Sequence, residues 1–206
     1  MSYRDYIVRE LVDTERKYVQ DLENLHDLKQ TLEQRGVIPG DVVHNIFLNI
    51  NSILDFQRKF LIRVETTNSM PQSRQEWGSP FVTYEESFNI YQPFIANQRK
   101  AAQLATQVFD KIQAAEHPVA CDFNTLDGFL LKPMQRLVKY PLLLKVSLFM
   151  DAQTGDYSHF IRISSKKARM RLRKQTSQQA LMPPSVFCRK QMTPWIAIYW
   201  MKHWKI

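Results

Sequence analysis

Ile7, Leu11, Thr14, Tyr18, Leu22, Leu25 and Leu32 recur along the first 35 residues at spacings of three, four and seven. That period puts them on one face of a single long helix. Arg9, Glu10, Glu15, Arg16, Lys17 and Glu23 lie between them and read as its charged face, with some i,i+4 support. Gly36 stands where a C-terminal cap belongs and Pro39 follows. Asp41 is placed to cap a short helix through Phe47. Ile53, Phe56, Phe60 and Val64 keep the period in a second amphipathic helix. From Thr66 to Pro80 the chain carries Asn, Ser, Pro and Gly, which predicts a loop. Helical spacing returns from Thr83 to Ala115, where Pro93 predicts a kink or break and His117-Pro118 ends the segment.

Residues 123–150 follow a different pattern. Phe129-Leu130-Leu131, Met134, Leu137-Val138 and Leu142-Leu143-Leu144 are apolar on several faces, which predicts a buried central helix. Pro133 and Pro141 lie inside it. Each removes a backbone hydrogen bond, at about 3 kcal/mol in a regular helix interior, so a kinked geometry at a functional surface is expected. No strand alternation of convincing length precedes residue 150. The fold class expected is all-α, a bundle of long helices.

Composition refines this picture. The chain has 206 residues, 44% of them hydrophobic, which is enough for a sizeable core and argues against wholesale disorder. No apolar run approaches the roughly 20 residues of a membrane span. Met1-Ser2-Tyr3-Arg4-Asp5 runs straight into charged residues, so no secretory signal is expected. The net charge of +8 is unevenly spread. Residues 161–206 hold eleven basic and no acidic residues, leaving 17 basic against 20 acidic in the first 160. A mildly acidic domain (1–160) is therefore expected to precede a chemically different, poorly ordered basic tail (161–206). Nucleic acid is not expected as a partner, because a basic reading of the chain rests on the tail alone.

Covalent chemistry finds no constellation here. His26, His44, His117, His159 and His203 are scattered without metal-ligand spacing. Cys121 and Cys188 are too few and isolated for a disulfide framework, and Cys121 has no neighbouring cation in sequence to activate it. No Gly-rich phosphate loop occurs. Neither cofactor nor metal is expected, and a protein that acts by binding another protein is favoured.

Two segments carry a family resemblance. Leu11-Val12-Asp13-Thr14-Glu15-Arg16-Lys17-Tyr18-Val19-Gln20-Asp21-Leu22 resembles the first signature region of Dbl-homology domains. Leu130-Leu131-Lys132-Pro133-Met134-Gln135-Arg136-Leu137-Val138-Lys139-Tyr140-Pro141-Leu142-Leu143-Leu144-Lys145 resembles the third, with both prolines in register. Asp55-Phe56-Gln57-Arg58-Lys59-Phe60-Leu61 resembles the fungal branch that activates the cell-polarity Rho GTPase. The resemblance covers residues 1 to about 160. It implies an elongated bundle of about six helices, and guanine-nucleotide exchange on a cell-polarity or Rac-like Rho-family GTPase. The implied mechanism is preferential binding of the nucleotide-free GTPase through remodelled switch segments.

The resemblance also implies residue roles. Glu15 matches the carboxylate that accepts hydrogen bonds from switch I, which requires it to be exposed. Lys139 matches the switch-II lysine. Leu131 matches a position that helps choose among Rho, Rac and the polarity GTPase, with core packing as the alternative. Gln135 and Arg136 belong to the motif and are expected to give mostly structural or supporting polar contacts. The implied location is the cytoplasm, with recruitment to the cell cortex.

The chain departs from the family after residue 160. The family's last long helix is Glu-rich and carries an Asn expected near residue 176, yet the chain reads Lys174-Gln175-Thr176-Ser177-Gln178. A pleckstrin-homology domain normally follows. A misread gene or aberrant transcript, with a change of reading frame near Ile161, would account for this, and impaired exchange is then expected. The rival is a genuine basic-aromatic tail, in which Trp195, Tyr199, Trp200 and Trp204 interleave with Lys202 and Lys205 at an anionic membrane surface. Three functions stay open: an exchange factor, a scaffold of the same fold without exchange, and, less in keeping with the charge distribution, a membrane- or nucleic-acid-binding basic protein acting through its tail.

Overall fold

The computed structural model describes residues 3–151, with side chains for 5–140 and for Leu143. The expectations for residues 152–206, including the basic tail and the frame change, lie outside the described residues. Met1–Tyr140 forms one compact unit, and Pro141 opens a second whose described residues continue a helix to Asp151. Among the described residues there are helices and turns and no strand, so the fold is all-α.

α1 runs from Tyr3 to Arg35 as a single helix. Gly36 ends it at φ +59°, a left-handed geometry that costs a glycine little, and its N–H reaches the Leu32 carbonyl at 3.1 Å. α2 spans Gly40–Phe47. Asp41 is not its cap. The Pro39 carbonyl receives the N–H groups of Val42 and Val43 at 3.0 and 3.1 Å, so the helix begins earlier and Asp41 falls inside the first turn.

α3 spans Ile50–Asn68, beyond the expected loop boundary at Thr66. Thr66 and Thr67 each donate their hydroxyl to the carbonyl four residues back, at 2.7 and 3.0 Å, which lets these polar residues stay helical. The rest of the expected loop holds a 3₁₀ turn at Gln72–Arg74, a fully buried Trp77, and α4 at Ser79–Thr83. A second 3₁₀ turn at Glu86–Ile90 leads into α5, Tyr91–Gln113. The helix expected from Thr83 is interrupted just ahead of Pro93, at residues 84–90, and Pro93 does not break α5 itself. It sits in the first turn, where the missing N–H has no intrahelical acceptor to lose. A turn at Pro118–Ala120 then precedes α6, Phe123–Asp151, which stays helical through Pro133 and Pro141.

α1 packs on α3 and α2, and α2 packs on α5. The core between them is apolar, and its aromatic part decides where the site sits. Phe56 and Phe60 of α3 meet Phe81, Phe88 and Tyr91, with edge-to-face pairs such as Phe60–Phe81 and Phe56–Phe88, both at 5.0 Å between ring centres. Tyr140 of α6 enters the same cluster, 5.3 Å from Phe81 and 5.8 Å from Phe60. Such pairs contribute about 0.5–1.5 kcal/mol each beyond burial, so they hold the Tyr140 ring in place.

The expectation of a central helix apolar all round does not hold for residues 123–140 of α6. Leu126, Leu130, Pro133, Arg136, Leu137 and Tyr140 face inward, whereas Gln135, Val138 and Lys139 are exposed. Two of the inward positions are polar, and the apolar Val138 is left 72% exposed.

Candidate functional site

Glu15 was expected on the charged, exposed face of α1. It is fully buried. Leu11 lies four residues before it and Val19 four after, and both are buried, so helical geometry alone carries Glu15 inward. Its exposed charged neighbours are Arg9, Glu10, Arg16 and Lys17.

A buried carboxylate needs compensation, and this one has it from two other helices. Arg136 of α6, only 5% exposed, donates to Oε2 through Nε at 3.1 Å and Nη2 at 2.5 Å. The Tyr140 hydroxyl donates to Oε1 at 3.0 Å. The Gln57 amide of α3 donates to the same oxygen, and its other hydrogen reaches the Tyr140 hydroxyl at 2.7 Å. Behind Gln57 the Tyr91 hydroxyl donates to its carbonyl Oε1 at 2.7 Å, and the Tyr18 and Tyr91 hydroxyls are 3.0 Å apart. These bonds have one consistent direction. Tyr18 donates to Tyr91, Tyr91 to Gln57, and Gln57 and Tyr140 to Glu15.

The electrostatics follow from burial. Burial raises the pKa of Tyr140 well above the usual tyrosine range; the Glu15 carboxylate adds to this, and Arg136 opposes it. Burial likewise raises Tyr91 and Tyr18. All three stay neutral donors at ordinary pH. Burial disfavours the Arg136 charge, but Tyr140 and Glu15 beside it more than offset this and hold the guanidinium above its usual range. That guanidinium also lies 4.9 Å from the centre of the Tyr140 ring.

The cluster fastens α6 to α1. Arg136 Nη1 also donates to the Thr14 hydroxyl at 3.0 Å, and Thr14 donates to the Glu10 carbonyl at 2.7 Å. One turn earlier Lys132 reaches the buried Asp21 of α1 at 2.8 Å. Thus Leu11–Leu22 and Leu130–Tyr140 form one joint. The outer face of α6 carries the remaining candidates. Gln135 and Lys139 are exposed, four residues apart, and Leu131 is half-buried four residues before Gln135. Each exposed residue immediately precedes a clamped one: Gln135 before Arg136, Lys139 before Tyr140.

The structure therefore brings Glu15 and Arg136 together inside the joint and leaves Gln135, Lys139 and part of Leu131 on its surface. Arg136 is a supporting residue, its donors turned inward. Periodicity did not single out Gln57, Tyr91 or Tyr18 as polar partners. One signal was available: Gln57 lies four residues after Ile53 and three before Phe60, a polar residue on an apolar stripe. Among the described residues no group of His, Cys, Asp and Glu could hold a metal ion, and no helix is long and apolar enough to cross a membrane.

A family model for the RhoGEF domain matches residues 7–170, a region that ends inside the segment distinguished by its lack of acids. The chain is 39% identical over 138 residues to the Rho guanine nucleotide exchange factor scd1 of Schizosaccharomyces pombe, covering 67% of this chain and 16% of that protein. It is 36% identical over 152 residues to the Cell division control protein 24 of Saccharomyces cerevisiae, covering 73% of this chain and 17% of that one. The chain thus spans about a sixth of the length of these two relatives. The crystal structure of the DH domain of FARP2 shares the fold, with a TM-score of 0.59 at 23% identity, over 88% of this chain and 98% of that one.

Proposed function

The chain belongs to the RhoGEF domain family, and on that premise we propose that the outer face of the α1–α6 joint accelerates GDP release from a Rho-family GTPase. One observation carries the reading. The two segments that resemble the family's signature regions, far apart in sequence, form a single surface joined through Glu15 and Arg136. The name of the Schizosaccharomyces pombe relative, a Rho guanine nucleotide exchange factor, points the same way.

The chemistry is differential binding, without a covalent step. A protein that binds the nucleotide-free GTPase more tightly than the GDP-bound form shifts that equilibrium by the difference in affinity. Lys139 supplies an exposed, three-donor charge, Gln135 both a donor and an acceptor, and Leu131 an apolar edge. Leucine at 131, with the resemblance carried by residues 55–61, favours the cell-polarity GTPase, then a Rac-like one. Such a partner fits a cytoplasmic protein recruited to the cell cortex, where the basic tail adds contact with anionic lipid. That contact is tested by co-sedimentation with phosphatidylserine vesicles at rising salt.

The main test is the release of a fluorescent GDP analogue from purified polarity, Rac and Rho GTPases. The expected result is acceleration on at least one of them, lost in Lys139→Ala at unchanged helix content. No acceleration on any of the three by a folded sample refutes the reading. The buried state of Glu15 favours a second reading, a scaffold of the same fold. A carboxylate whose oxygens are already taken offers nothing to a partner. That reading is supported by tight binding to the nucleotide-free GTPase without GDP release.

A further inference from the structure

Gln57 lies on α3, away in sequence from both signature segments, yet it bonds to a residue of each, Glu15 and Tyr140. Its amide donates to Glu15 and to Tyr140, and its carbonyl oxygen accepts from Tyr91, which is itself in contact with Tyr18. All its hydrogen-bonding capacity on these atoms is turned inward, and the residue is fully buried. Gln57 is therefore the point where α3 and α5 engage the clamp between α1 and α6.

We propose that Gln57 is a positioning residue for the exchange surface, acting through Tyr140 and Glu15 on the residues that α6 turns outward. The inference rests on the reading of that surface as the GTPase contact. Tyr140 is adjacent in sequence to Lys139, and Arg136 to Gln135. Rotation of a helix moves inward and outward side chains together, so fixing the Tyr140 hydroxyl and the Arg136 guanidinium fixes where Lys139 and Gln135 project. Aromatic packing holds the Tyr140 ring laterally but leaves sliding along the helix axis less restrained, because ring contacts tolerate offsets. The hydrogen bonds from Gln57 and to Glu15 are directional and remove that freedom. Gln57 also decides which way the relay runs. With its amide toward Glu15, its oxygen must face Tyr91, and the donors then converge on the carboxylate.

The test is a double-mutant cycle on kcat/KM for stimulated GDP release, with Gln57→Met, Lys139→Ala and both together in the full chain. Methionine keeps the length and apolar volume of glutamine and removes its hydrogen bonds. The expected loss for Gln57→Met is about tenfold to a hundredfold, the range that small displacements of a positioned group produce. In the Lys139→Ala background the same change should cost far less, because the group being positioned is gone. Tyr91→Phe removes one hydroxyl from the relay with little risk to the fold, and a smaller loss with the same dependence on Lys139 is expected. Arg58→Ala, next in sequence, removes an exposed ion pair with Glu23 that spans α1 and α3, and should leave exchange unchanged. If Gln57→Met and Tyr91→Phe act equally with and without Lys139, or Arg58→Ala matches them, the effect is general packing and the proposal is overturned. An active wild type that loses exchange in Lys139→Ala but not in Gln57→Met also overturns it, and leaves the functional reading standing. A wild type without exchange overturns both.

Discussion

Replacing Glu15 with alanine separates the two views of this residue. On an exposed helix face Glu→Ala costs almost nothing in stability, and any effect on exchange reports a lost partner contact. The structure requires the opposite. Alanine leaves the buried Arg136 guanidinium without its carboxylate, with Nε and Nη2 both losing their acceptor. Breaking a buried pair from one side costs about 3–5 kcal/mol. The Tyr140 hydroxyl and the Gln57 amide lose an acceptor as well, which pushes the cost toward the upper end. Against a total stability of about 5–15 kcal/mol this is a large fraction. At about 2–4 °C per kcal/mol for a domain of this size, the melting temperature should fall by about 6–20 °C.

The assay is thermal and urea unfolding followed by far-ultraviolet circular dichroism, for wild type, Glu15→Ala, Glu15→Gln and the pair Glu15→Met with Arg136→Met. Glu15→Gln keeps the shape but weakens the acceptor and should fall between wild type and alanine. The double methionine variant removes both charges and should recover most of the loss, because a buried ion pair replaced by apolar side chains of similar volume is often neutral or stabilising. A melting temperature for Glu15→Ala within about 2 °C of wild type refutes the burial, since that corresponds to about 1 kcal/mol or less. So would a double variant no more stable than the single one.

Three further outcomes follow. Tyr18, Tyr91 and Tyr140 have raised pKa values in the folded state, so the unfolded chain loses these protons first as pH climbs past about 10. Stability should be flat in this respect below that pH and then fall by up to about 4 kcal/mol per pH unit; tyrosinate absorbance at these positions in a still-folded protein would contradict it. Leu131→Ile should change the ranking of polarity, Rac and Rho GTPases by at most about 1–2 kcal/mol in kcat/KM, and an unchanged ranking makes Leu131 a packing residue only. Gly36→Ala meets no neighbouring atom but must adopt φ +59°, so it should cost about 1 kcal/mol and a few degrees of melting temperature, read by the same thermal scan.

The helices of this fold were legible wherever one residue class dominates a face. α1 was read to within a residue of its end because Gly36 marks the cap, and the core of α3 followed from Ile53, Phe56, Phe60 and Val64. The misplacements share a cause. The consequence of Pro93 depends on where the helix starts, and Asp41 is a cap only if the helix starts after it, so both needed a boundary that the pattern fixes loosely. Thr66 and Thr67 read as loop residues because their backbone partners are invisible in composition. Glu15 was misassigned for a stronger reason. Its position in the period favours burial and its charge opposes it, and only a partner 121 residues away decides between them. The segments of the site could be found by resemblance, but the inward or outward fate of each residue could not.

That ambiguity bears on why the joint is polar at all. An apolar pair at 15 and 136 would hold the helices nearly as firmly, so stability alone is a weak reason for burying a carboxylate and a guanidinium. Apolar contacts, however, tolerate sliding and rotation, whereas Oε1 and Oε2 of Glu15 accept from specified atoms on α3 and α6. α6 is the element for which this matters most. Its inward residues include the polar Arg136 and Tyr140, and the side chains one position earlier, Gln135 and Lys139, are exposed. The double methionine variant can therefore separate two properties. It should keep the fold and much of the melting temperature, and still exchange nucleotide poorly, because Lys139 and Gln135 are no longer held at one height along α1. Full exchange in that variant would mean that packing alone sets the surface, and the buried charges would then have no part in positioning it.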